Sequence, residues 1–69
     1  MTKAKFTKIG REIRKVRGER TQVQFASMLG TSQARLSEYE AGLNEPSKEV
    51  IKKLVLLSGL PAEKFMQIK

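Results

Sequence analysis

Between Thr21 and Gly42 the chain reads TQVQFASMLGTSQARLSEYEAG. Two short amphipathic runs are separated there by one glycine, Gly30. Phe25, Ala26 and Leu29 fall on the inward side of the first run, and Leu36 and Tyr39 on that of the second, at helical spacing. Thr21 stands three residues before Gln24, the pattern of a capping box, and Ser32 is placed to cap the second run. Gly30 suits the left-handed conformation that ends a helix, and Gly42 stops the run that follows.

The same period extends to both sides. Ile9, Ile13 and Val16 form one stripe and predict a first helix over about residues 7–17. Ser47 caps a fourth helix carrying Val50, Ile51, Leu54, Val55, Leu56 and Leu57, with Glu49 in its favourable first turn. Gly59 ends it. Pro61 bars Leu60 from helical geometry and suits the start of a fifth helix over about residues 62–68. No segment shows the strict alternation of a strand. The pattern therefore predicts an all-α, compact five-helix domain, with Ile13, Val16, Phe25, Ala26, Leu29, Leu36, Tyr39, Val50 and Leu54 in one core.

Helices two and three, joined by a three- or four-residue turn containing a glycine, make a helix-turn-helix. The tight turn forces a steep crossing and demands a small residue at Ala26. It leaves the polar face of the third helix projecting outward, at a size that fits the major groove of DNA.

Composition narrows the chemistry. With 69 residues the chain is one domain, residues 1–69, near the lower limit for a self-sufficient core. It has no cysteine and no histidine. Disulfides, thiolate metal sites and the commonest general base are thus excluded, and neither enzyme activity nor a cofactor is expected. The longest apolar run, Leu54–Leu57, is far too short to span a bilayer, and the N-terminus lacks the apolar segment of a signal peptide, so no membrane partner and a cytoplasmic location are expected.

The net charge is +7, which favours a polyanionic partner. It is unevenly placed. Lys3, Lys5, Lys8, Arg11, Arg14, Lys15, Arg17 and Arg20 face only Glu12 and Glu19 in the first twenty residues. Residues 21–46 hold Arg35 against Glu38, Glu40 and Glu45. One reading is a solvated basic helix face. The other is an electrostatic flank, with residues 1–6 as a flexible basic arm, that neutralises phosphates while the central stretch discriminates.

Taken with EPSKEVIKKLVLLSGL, the central stretch resembles the lambda-repressor-like, Cro-type helix-turn-helix family of bacterial and phage transcriptional regulators. The resemblance covers about residues 7–66 and rests on several independent positions: Thr21-Gln22, Phe25-Ala26, Leu29-Gly30, Leu36, Tyr39, Glu40, Pro46-Ser47 and Gly59. It implies a sequence-specific, double-stranded-DNA-binding regulator, a repressor or autoregulator, that binds a two-fold operator as a homodimer. It implies that Gln22 contacts phosphate, as the physics of a helix N-terminus also suggests, and that Gln33 contacts a base. A glutamine amide pairs bidentately with adenine. Ala34 is placed to touch a thymine methyl, and Arg35, Ser37 and Glu38 occupy the other outward positions. Thr21, Lys3 and Lys5 join Gln22 as phosphate contacts. Arg17 and Glu40 match a pair that forms an internal salt bridge in the family.

Three features depart from the family pattern. The link Gly18-Glu19-Arg20 is short, Glu38 stands where many members are basic, and the loop Leu43-Asn44-Glu45-Pro46 lacks a basic residue. Glu38 either accepts from cytosine or neutralises Arg35. Helix four is apolar around more of its circumference than one core face needs. That surplus assigns Val55, Leu56, Phe65, Met66 and Ile68 to a dimer interface. An alternative function is an antitoxin-type module whose main partner is a toxin protein.

Overall fold

Three hydroxyl caps set the helix starts. Thr21 Oγ1 accepts from the Gln24 N–H at 3.1 Å while the Gln24 side chain accepts from the Thr21 N–H, a complete capping box. Ser32 Oγ accepts from Arg35 N–H and Ser47 Oγ from Val50 N–H. The computed structural model describes residues 5–66; Lys3 and Ile68 lie outside the described residues. The described chain forms α1 (Thr7–Arg17), α2 (Gln22–Leu29), α3 (Gln33–Glu40), α4 (Lys48–Ser58) and a short 3-10 helix, Ala62–Phe65. Among the described residues there is no strand, and no helix is long and apolar enough to cross a membrane.

The turn between α2 and α3 is built by Gly30, whose φ of 72° lies in the left-handed region. The Thr31 N–H reaches back to the Ala26 carbonyl at 2.9 Å, the long bond of a Schellman ending. The chain therefore turns within three residues, and α2 and α3 pack on each other. α1 lies across α3, and α4 closes the core against α1 and α2.

Gly10, in the middle of α1, permits the first of these contacts. A Cβ there would stand 2.7 Å from the Tyr39 carbonyl oxygen and just as tightly against the carbonyl of Glu40. The α1 backbone thus rests directly on the end of α3. The neighbouring end of α1 is pinned as well: the Phe6 N–H donates to the Gly42 carbonyl at 3.0 Å.

The core contains Ile9, Ile13, Phe25, Ala26, Leu29, Leu36, Tyr39, Val50, Leu54 and Phe65. Val16, expected inside, is only partly buried and packs on its margin. Two expectations need correction. The fifth helix is a four-residue 3-10 turn, and Met66 beyond it is extended. Phe65 is fully buried against α1 and α4, so it belongs to the core and not to a dimer surface. The 3-10 turn carries the Phe65 ring into the core, where removing a large aromatic from water is favourable.

Candidate nucleic-acid interface

α3 sorts its residues by face. Leu36, Tyr39 and Glu40 are buried, whereas Gln33, Ala34, Arg35, Ser37 and Glu38 are all exposed. The five outward positions expected from the sequence therefore form one polar surface on a helix that the domain supports from behind. The surface begins at the N-terminus of α3, where the N–H groups of Gln33 and Ala34 precede the first intrahelical bonds. The N-terminus of α2 is close by, since Gln33 Nε2 lies 3.5 Å from Gln22 Oε1. Two helix starts, each with a positive end, thus lie close together.

Behind this surface lies a polar network centred on Glu40, whose side chain is 3% exposed. Arg17 Nε donates to Glu40 Oε2 at 2.7 Å and Arg17 Nη2 to Oε1 at 3.1 Å. This is the two-pronged geometry that makes arginine–carboxylate pairs strong. Gln22 Nε2 donates to the same Oε1 at 3.1 Å. Arg14 stands 3.7 Å away and is largely exposed. The remaining Arg17 nitrogen, Nη1, donates to the Arg20 carbonyl at 2.9 Å and so holds the short α1–α2 link. The salt bridge expected between Arg17 and Glu40 is present. It withdraws Arg17 from the pool of cations open to phosphate, while Lys5, Lys8, Arg11 and Arg14 remain exposed.

Thr21 is exposed and Gln22 half-buried. The Thr21 hydroxyl oxygen is occupied as a helix cap, which leaves its O–H as a donor. Glu38 accepts from Asn44 Nδ2 at 2.9 Å, so the loop after α3 is tied to the outward face. Asn44 is a participant that helical periodicity had no means of revealing. Of the residues assigned to a dimer surface, Leu56 is 80% exposed and Met66 is exposed, while Val55 is half-buried. Ile51, Lys52, Val55, Leu56 and Ala62 line a shallow groove between α4 and the 3-10 turn.

Two helices packed across a tight glycine turn, with the polar face of the second held outward, define a helix-turn-helix domain. Residues 11–65 match a family model described as helix-turn-helix, and the chain belongs to that lambda-repressor and Cro-type family of DNA-binding transcription regulators. No curated protein and no solved structure matches the chain.

Proposed function

We propose that the protein is a sequence-specific DNA-binding regulator, a repressor or autoregulator, that inserts α3 into the major groove of a two-fold operator as a homodimer. The observation that carries this reading is the pairing of Gln33 with Gln22 at the joint start of α2 and α3. On this reading the Gln33 amide faces the groove and the Gln22 amide the phosphate backbone beside it. In this docking mode the leading residues of the second helix meet base edges. Gln33 reads a base, Ala34 meets a thymine methyl, and Arg35, Ser37 and Glu38 contribute further along. Gln22 and Thr21 take phosphate, assisted by Lys5 and by Lys3 in the N-terminal arm, which is favoured by the net charge of +7.

Leu56, Val55 and Met66 supply the dimer contact, together with Ile68. An isolated large apolar residue on a surface is ordinary; several around one groove favour an interface. Selection of bound duplexes from random DNA tests the reading. An inverted repeat with half-sites about 10 base pairs apart centre to centre is expected. Uniform recovery of all sequences would refute sequence-specific regulation.

A further inference from the structure

Glu40 does more than anchor Arg17. Its carboxylate oxygens are acceptors only, so the side chain of Gln22 must turn its NH2 group toward Glu40. That choice places Gln22 Oε1 on the opposite side, toward Gln33. Gln33 must in turn present an N–H to it, as Gln33 Nε2 does at 3.5 Å. A primary amide has two N–H groups and one carbonyl. With one N–H directed at Gln22, Gln33 offers the groove its other N–H and its oxygen. One donor beside one acceptor is the complement of adenine, which offers N7 as acceptor and N6–H as donor. Turned over, the same amide would offer the groove its NH2 group, which suits the two acceptors of guanine, N7 and O6.

We propose that Glu40 is a positioning residue for base readout: held by Arg17, it sets the polarity of the Gln22 amide and, through it, that of Gln33, so that the recognition helix selects adenine over guanine. The proposal rests on the DNA-binding reading above. It assigns a specificity role to a buried residue that touches no DNA. Arg17 acts one step further back, since its two donors keep both Glu40 oxygens in place.

Glu40→Gln inverts the relay. The new carboxamide keeps its oxygen on Arg17 Nε, the shorter contact, gives up the bond from Arg17 Nη2, and turns its NH2 toward Gln22. Gln22 then offers an oxygen to that NH2 and an N–H to Gln33, and Gln33 directs its NH2 at the groove. The experiment is selection of the full chain on randomised duplexes, with Gln33→Ala marking the base pair that Gln33 reads. At that pair Glu40→Gln should lower the adenine-over-guanine enrichment about ten-fold, with the other pairs unaltered. Gln22→Met leaves the Arg17–Glu40 pair intact and should relax the same pair without creating a guanine preference. It decides the matter should circular dichroism show Glu40→Gln unfolded. Loss of a phosphate contact in Gln22→Met lowers affinity for all sequences alike and does not touch the base ratio. An unchanged ratio at the marked pair in a folded variant overturns the positioning role while leaving DNA binding intact. Failure of the unaltered protein to enrich any site overturns the sequence-specific reading and the positioning role with it.

Discussion

Arg17 grips Glu40 through two hydrogen bonds, and the two side chains are unequally buried, 20% and 3% exposed. Removing the arginine leaves a carboxylate inside the domain with Gln22 and the more distant Arg14 as partners. A fully buried pair broken in this way costs roughly 3–5 kcal/mol. The remaining partners and the partial exposure of Arg17 bring the expected loss for Arg17→Met to about 2–3 kcal/mol. The double variant Arg17→Met/Glu40→Leu should recover part of that loss, because no unpaired charge remains. Urea unfolding of the two variants measures the difference; a double variant less stable than the single would contradict the burial argument.

Gly10→Ala sets two effects of opposite sign against each other. In an exposed helix interior alanine is better than glycine by about 0.5–1 kcal/mol. Here the added carbon meets the backbone carbonyl of Tyr39 at 2.7 Å, and backbone cannot swing aside as a side chain can. The strain should win, with a net destabilisation of about 1–3 kcal/mol. A raised urea midpoint in Gly10→Ala would show that α1 lifts from α3 without cost.

These two contacts also mark the boundary of what sequence reasoning reaches. The helix starts were legible because a cap is local: Thr21 with Gln24, Ser32, and Ser47 each declare themselves within four residues. The outward face of α3 was legible because Leu36 and Tyr39 assign the inward one. Arg17–Glu40 was reached only through resemblance, since nothing local joins positions 23 residues apart. Gly10 sits within an unbroken helical pattern and carries no turn signal. Its necessity comes from the approach of a different helix. Phe65 escapes the sequence pattern for a related reason. In a short apolar tail, spacing alone does not distinguish a residue that folds back into the core from one that faces a partner.

That correction separates two substitutions that the sequence would have treated alike. Phe65→Ala opens a cavity in the core and should cost roughly 3–5 kcal/mol of stability. Leu56→Asp alters a side chain that is 80% exposed and should change the monomer's unfolding free energy by no more than about 0.5 kcal/mol. If α4 forms the dimer surface, Leu56→Asp should nevertheless abolish association in sedimentation at micromolar concentration and weaken operator binding. A Leu56→Asp protein that still associates would remove α4 from the interface.

Gln33 and the basic N-terminus should fail in different ways when altered. The Gln33 amide carries a donor and an acceptor and sits exposed at the leading end of α3. It distinguishes one base pair from another, so Gln33→Ala should weaken specific binding by roughly 1–3 kcal/mol and relax one pair per half-site. Non-specific affinity should hardly change. The lysines at positions 3 and 5 offer point charges that attract any phosphate. Deleting residues 2–5 should therefore lower affinity for every sequence and reduce the salt slope by about one unit per lost phosphate contact. Titrating operator and scrambled duplexes across a salt series measures both effects together. Equal weakening of the two duplexes by Gln33→Ala would make Gln33 a phosphate contact, and base reading would then pass to the other outward residues of α3, with Arg35 the first to substitute.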